Sequence, residues 1–236
     1  MNCTKICSSL LLVFVILFSA CKRPIKGEGP VTSQAISAND FTEITLSIPA
    51  KVNVVASDSF ICIIKAQKNI IDAIKIKTDG DNLEITSDNN LKTDQEIEIF
   101  VSLPEIKLAE VNGSGTMTFV NPAKGNKLRL SVNGSGTIDA KAEMDEIKTQ
   151  TNGSGTVTIS GNAKEASCEI NGSGDLHAFE LSTNDCKVEI NGSGDAEVSV
   201  LSKLKADIRG SGNIIYKGRP HVVSEIIGSG NIKNAE

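Results

Sequence analysis

Tryptophan is absent from this chain, tyrosine occurs once (Tyr216), and aromatic residues make up only 3% of it. Recognition of bases or sugar rings by stacking needs flat aromatic faces, so that mode has almost no material here. An excess of positive charge is also missing, with 24 basic residues against 29 acidic. That balance argues against a phosphate-backbone partner, and no nucleic acid is expected. Histidine occurs only at His177 and His221. Neither has a nucleophile in a Gly-x-Ser-x-Gly elbow, a pattern the chain does not contain, and both read as surface residues. Gly-Ser-Gly is frequent but is never followed by Lys-Ser/Thr, which excludes a phosphate loop. No cofactor is implied. No apolar run reaches the ~20 residues that a membrane-spanning helix needs.

The longest apolar run, Leu10 to Phe18, follows a positive Lys5 and leads into Ser19-Ala20-Cys21. This is the pattern of a cleaved targeting signal over residues 1–20. Phe18-Ser19-Ala20-Cys21 resembles the bacterial lipobox, which implies cleavage before Cys21, thioether lipidation of that cysteine and acylation of the new amino terminus. Several acyl chains, at ~0.8 kcal/mol per buried methylene, hold a protein on a membrane almost permanently. Residues 21–35 read as a lipidated tether: Lys22-Arg23-Pro24 and Gly27-Glu28-Gly29-Pro30 carry no apolar pattern. Neither an aspartate nor an acidic run follows the cysteine, so outer-membrane attachment is expected, with the leaflet open. Of six cysteines, Cys3 and Cys7 leave with the signal and Cys21 takes the lipid. Cys62, Cys168 and Cys186 remain, an odd number without metal-site spacing.

What the chain has in abundance is a repeated corner. Asn112-Gly113-Ser114-Gly115, Asn133-Gly134-Ser135-Gly136, Asn152-Gly153-Ser154-Gly155, Asn171-Gly172-Ser173-Gly174 and Asn191-Gly192-Ser193-Gly194 are followed by Gly210-Ser211-Gly212 and Gly228-Ser229-Gly230. Asparagine gives way to Arg209 and Ile227 before the last two. The corners lie 21, 19, 19, 20, 18 and 18 residues apart. Before each corner, alternate residues are apolar or small, as in Leu128-Leu130-Val132 and Cys186-Val188-Ile190, with Arg129, Lys187 and Glu189 between them. After each corner the alternation resumes, as in Ile138-Ala140 and Val157-Ile159. Period two marks strands with one dry face.

A coil of ~19 residues is too short for a strand–helix–strand crossover. The apolar columns hold the same phase in every repeat, which a meander of hairpins closed by Asn-Gly turns would not require. The sequence therefore predicts an all-β, single-stranded β-helix (β-solenoid) over residues 36–236, with some ten residues returning the chain in each coil. Equivalent strands would stack at ~4.8 Å and seven coils would rise ~30 Å. Glycine supplies the positive φ of a sharp corner; asparagine tolerates the left-handed region and can also form an amide ladder along the axis. Residues 36–110 show the same alternation without the corner, as in Ile44-Thr45-Leu46 and Ile97-Glu98-Ile99, and read as irregular first coils.

Val52-Asn53-Val54 and Leu83-Glu84-Ile85, followed by serial Asn-Gly-Ser-Gly corners, resemble the bacterial family named putative auto-transporter adhesin, head GIN domain. The resemblance covers roughly residues 40–230 and implies a β-helical fold in the cell envelope. It brings no catalytic residues.

Asp175 and Asp195 occupy the same place in adjacent coils, ~5 Å apart if stacked, and are weak candidates for a shared calcium. Thr116, Thr137, Thr156, Asn213 and Asn231 fill the same column and fit a polar corner without metal. Cys168 and Cys186 fall inward in adjacent coils but in different columns, as small core residues or as a bridged pair. Glu110, Glu169 and Glu189 lie two before an Asn-Gly-Ser, a pattern like a bacterial glycosylation acceptor that repetition makes structural. Two functions remain. One is a non-catalytic binding or structural module facing a glycan or an envelope protein. The other is an envelope polysaccharide lyase or hydrolase with carboxylates and bases converging in a groove. The chain ends six residues after its last corner, so the final coil is expected to expose an unpaired edge suited to homo-oligomer contact.

Overall fold

The computed structural model describes residues 24–38 and 40–235. The regular part is a β-solenoid. Strands β10 (Leu108–Gly113) and β11 (Thr116–Phe119) flank the first corner; β12 (Ala123–Gly134), β13 (Thr137–Gly153), β14 (Thr156–Gly172), β15 (Asp175–Gly192) and β16 (Asp195–Gly210) follow. β17 (Asn213–Lys217), β18 (His221–Gly228) and β19 (Asn231–Asn234) form the last coil. Every pairing among these strands is parallel, and the corners are in register: Asn133 aligns with Asn152, Asn171 with Asn191, and Gly192 with Gly210.

The ten or so residues of the return are themselves strand, since β13, β14 and β15 run unbroken from one corner to the next. Small inward residues explain it. Ala123, Ala142 and Gly161 stack in one column of a third face, and Ala123 and Ala142 are buried there. The differences in coil length, of one or two residues, are absorbed on this face. Register shifts lie between Thr158 and Gly161, between Ala178 and Ser182 and between Thr183 and Asp185, never at a corner. A bulge tolerates an extra residue, whereas a stacked corner does not.

Inward columns build the core. One reads Leu83, Ile44, Ala109, Leu130, Thr149, Cys168, Val188 and Ala206; its neighbour reads Ile85, Leu46, Val111, Val132, Thr151, Ile170, Ile190 and Ile208. All of them are buried. On the far side of the corner Phe119 lies above Val54, and the register of Met117 with Ile138 and Thr118 with Asp139 leads to the small Ala140 above it.

The amino-terminal strands join the same stack, but not in chain order. β3 (Glu43–Leu46) and β4 (Lys51–Ala56) form the level directly beneath β10 and β11. The level beneath that comes later in sequence, from β7 (Asn82–Thr86) and β9 (Glu98–Leu103). The chain thus lays its second level first, drops to the lowest, and climbs past itself to begin the regular coils. Lys107 N–H donates to the Thr42 carbonyl at 2.7 Å where it passes.

The lower end is closed by antiparallel pairs. β5 (Ile61–Gln67) lies against β9, β2 (Val31–Ile36) against β5, and β6 (Lys75–Asp79) against β7. The helix α1 (Lys68–Ile71) buries Ile70 and Ile71 there. β1 (Ile25–Lys26) pairs with β8 (Leu91–Lys92) beside it. Within the stretch read as a lipidated tether, residues 21–35, residues 25–26 and 31–35 find strand partners. No helix among the described residues is long and apolar enough to cross a membrane.

Candidate binding surface

The corner is built from two glycines with different reasons to be glycine. The first of each pair has positive φ, from 105° at Gly113 to 145° at Gly192. A Cβ on Gly172, Gly192, Gly210 or Gly228 would come within 2.0 to 2.3 Å of the carbonyl oxygen of the equivalent glycine one coil below. The second glycine does not need positive φ. At Gly155 an added Cβ would meet Val132 Cγ1 at 2.4 Å, and at Gly194 the Gly174 oxygen at 2.1 Å. Backbone thus packs on backbone through the whole stack. The Gly153 carbonyl accepts from Ser173 N–H at 2.9 Å, and the Gly172 carbonyl from Ser193 N–H at 2.8 Å.

No residue other than glycine has positive φ among the described residues. The left-handed role considered for asparagine is thus not used, because glycine takes the whole reversal. The ladder role is used. Asn133 Nδ2 donates to Asn112 Oδ1 at 2.9 Å, Asn152 to Asn133 at 2.8 Å, Asn171 to Asn152 at 3.0 Å and Asn191 to Asn171 at 3.0 Å. Glu110 and Glu169 carboxylates accept from the Asn112 and Asn171 amides, which gives these glutamates a structural part. Asn152→Ala removes two links of this ladder. At about 1 kcal/mol per hydrogen bond it is expected to cost roughly 1–2 kcal/mol, and Asn191→Ala about half. Urea melts of both variants check the ratio.

Beside the asparagines, Ser114, Ser135, Ser154, Ser173, Ser193, Ser211 and Ser229 form a second row. All seven are exposed, and none of their hydroxyls has a hydrogen-bond partner among the described residues. At ~4.8 Å per level the row runs ~29 Å. A third row follows it: Thr116, Thr137, Thr156, Asp175, Asp195, Asn213 and Asn231. Asp175 and Asp195 are stacked as expected, and one oxygen of each bonds along its own row. Asp175 Oδ1 accepts from Asp195 N–H at 3.3 Å, and Asp195 Oδ1 accepts from the Asn213 backbone and side-chain amides, both at 2.8 Å. No group of three or more His, Cys, Asp or Glu fit to hold a metal occurs among the described residues.

The other singled-out residues do not converge on the corner. His177 is exposed and lies 2.9 Å from Glu197, and His221 is exposed at the start of β18. Cys168 aligns with Val188 and Cys186 with Ala166, and both are buried free thiols. Contact with Cys168, together with burial, holds the Cys186 thiol well above its ordinary range. Burial raises Cys62 to about 11, so neither is poised as a nucleophile. Cys21 lies outside the described residues.

Two grooves open on the face before the corner. One of about 520 Å³ is lined by Lys107, Lys127, Arg129, Glu146 and Lys148. The other, about 400 Å³, holds Glu146, Glu165, Asp185, Lys187, Lys203 and Lys205. Their charges neutralise one another locally. Lys127 reaches Glu146 at 2.5 Å, Lys187 reaches Glu189 at 2.8 Å and Lys205 reaches Asp207 at 3.1 Å. The hydrogen bond to Glu189 keeps the Lys187 ammonium above its usual range. A lysine held protonated is a poor general base.

Residues 40–220 match the family described as putative auto-transporter adhesin, head GIN domain. The chain belongs to this family. Solved structures agree. A putative adhesin from Bacteroides fragilis is 23% identical with a TM-score of 0.85, over 89% of this chain and 99% of that one. A protein from Parabacteroides distasonis described as a putative lipid binding protein is 26% identical with a TM-score of 0.77, over 91% and 100%. A putative adhesin from the same species is 29% identical with a TM-score of 0.72, over 90% and 100%. No functionally curated protein matches the chain.

Proposed function

We propose that this GIN-domain protein is a non-catalytic binding module of the bacterial envelope, tied to the outer membrane by lipid at Cys21, and that its ligand is an extended glycan lying along the corner. The row of seven exposed serine hydroxyls carries this reading. These hydroxyls repeat on a backbone that the glycine and asparagine ladders fix, and the protein leaves them unsatisfied. A linear polysaccharide presents hydroxyls at a comparable repeat, so one chain can engage several levels at once. With no tryptophan to stack on a ring, each contact is a solvent-exposed hydrogen bond of about 0.5–1.5 kcal/mol before ordering costs. Useful affinity then comes only from many contacts on one polymer. The adhesin descriptions of two similar structures support the reading.

A glycan array probed with the purified protein, run beside a reducing-end release assay, tests this. Binding to at least one polymer without release is expected. In the triple variant Ser135→Ala, Ser154→Ala, Ser173→Ala, binding should fall about tenfold or more, the loss of roughly three hydrogen bonds. Release of sugar ends would instead establish a lyase or hydrolase working from the carboxylate groove. Unchanged binding by the triple variant would move the ligand off the corner.

A further inference from the structure

The two ends of the solenoid are finished differently. Below, the free edges belong to β6, which carries Lys75 and Lys77, and to β2, whose middle is Thr32-Ser33-Gln34. Charged and polar edges resist further pairing. Helix α1 and the buried Ile64 and Ile70 close the core behind them. At the upper end nothing closes it among the described residues. Among the described residues β18 pairs only with β16, so it presents one unpaired edge of backbone N–H and C=O groups.

The upper edge is also apolar in a way that the other levels are not. Val222, Ser224 and Ile226 cap the three inward columns that continue below as Leu204, Ala206 and Ile208, all buried. Ile226 itself is 43% exposed. The outward side changes character too. Val223 is 46% exposed and stands in the column of Arg129, Lys148, Lys187 and Lys205. Ile227 is 56% exposed and replaces the corner asparagine of the ladder below. An end that is apolar at its core, apolar on its rim and unpaired in its backbone is built to be covered.

We propose that a second copy of this chain covers it, end to end, with β18 pairing antiparallel to β18 of the partner about a two-fold axis at Ser224. Two upper ends placed face to face wind in opposite senses, so their strands meet antiparallel, as an isologous interface requires. Centred on Ser224, the register sets Val222 opposite the partner subunit's Ile226 twice, and Ser224 opposite itself. Val223 then faces Glu225 of the partner subunit, and no like charges are directly opposed. Shifting the centre one residue to Glu225 would oppose two carboxylates, which is destabilising in a directly opposed pair. The pairing extends the core columns from one copy into the next. If the lipid sits at Cys21, the two anchors lie at opposite ends of the pair and engage facing membranes. That consequence rests on the proposed anchor, whereas the dimer does not.

Sedimentation velocity on the purified protein over a wide concentration range, with two variants, tests the proposal. Wild type should pass from monomer to dimer. Ile226→Lys, which puts an inward-pointing charge on the open edge, should weaken the dimer about tenfold or more with a melting midpoint close to wild type. Ser224→Cys should lock the dimer as a disulfide under mild oxidation, since directly opposed antiparallel residues lie ~4.5–5.5 Å apart, within disulfide range. Ser211→Cys, one level down on the exposed corner, should not lock it. A wild type that stays monomeric at high micromolar concentration overturns the proposal. So does a dimer that survives Ile226→Lys and is not captured by Ser224→Cys, because its interface lies elsewhere.

Discussion

Gly192→Ala is expected to destabilise the solenoid by roughly 3–5 kcal/mol, the sum of backbone strain at a glycine-only φ and overpacking against fixed backbone. Gly192 has φ 145°, and the new methyl carbon would lie 2.0 Å from the Gly172 carbonyl oxygen. That oxygen accepts from Ser193 N–H at 2.8 Å and Gly194 N–H at 3.2 Å, so moving it away breaks the ladder at the same point. With each kcal/mol worth ~2–4 °C in a domain of this size, the melting midpoint should fall by about 10 °C or more. Gly113→Ala provides the internal comparison. Its φ is 105°, yet nothing lies within 4 Å of an added Cβ, because no glycine corner sits beneath it. Only the strain applies there, about 1–3 kcal/mol. Ser173→Ala, exposed at the corner one coil below Gly192, should stay within about 0.5 kcal/mol of wild type. Thermal melts of the three variants in one buffer should rank Gly192→Ala far below Gly113→Ala, with Ser173→Ala near wild type. Equal losses at Gly192 and Gly113 would mean that stacking of corner on corner is not what demands glycine.

Phe119→Ala is expected to cost about 3–5 kcal/mol, the range for truncating a buried aromatic residue in a close-packed core. Phe119 is among the largest fully buried side chains and marks the joint between the irregular lower levels and the regular coils. Below it is Val54, and the register of the preceding residues, Thr118 with Asp139, leads to the small Ala140 above, which leaves room for the ring. No neighbour can move in, since β4 and β13 are held by pairing on both sides. Phe119→Leu, which keeps most of the volume, should cost about 1.5 kcal/mol or less. Because repeat stacks are stabilised by nearest-neighbour interfaces, the loss should appear first at this joint. Hydrogen exchange in Phe119→Ala should speed up in β4 and β11 before β15 and β16. Uniform acceleration along the stack would contradict that.

Much of this was legible in the sequence, and the reasons are physical. The alternation of Leu128-Leu130-Val132 and its counterparts fixes which face is dry. The repeated phase fixes that equivalent residues stack, and the alignment of Cys168 with Val188 follows from counting back from the corner. The stacking order below the first corner was not legible. Leu46 and Ile85 carry the same alternation, and nothing local tells which of them lies directly under Val111; that is settled by closure of the lower end with β5, β6 and α1. Asn121 was missed for a similar reason. Its side chain donates to the Ala56 carbonyl and accepts from Ala56 N–H, both at 2.9 Å, standing in for a strand residue across 65 positions. No pattern near Asn121 signals that role. At the corner, the glycines, the asparagine ladder and the stacked aspartates were all readable. The free serine row emerged only once the structure showed which polar groups the protein had already satisfied.

The account rests on a polymer running along the corner and touching several levels at once. Its most direct measurement is binding strength against oligosaccharide length, by calorimetry, for whichever glycan the array selects. Affinity should rise steadily with each added sugar and level off when the oligomer spans the ~29 Å of the serine row. A short oligomer that binds as tightly as the polymer would contradict it, because such a ligand would occupy a single pocket and not a ladder.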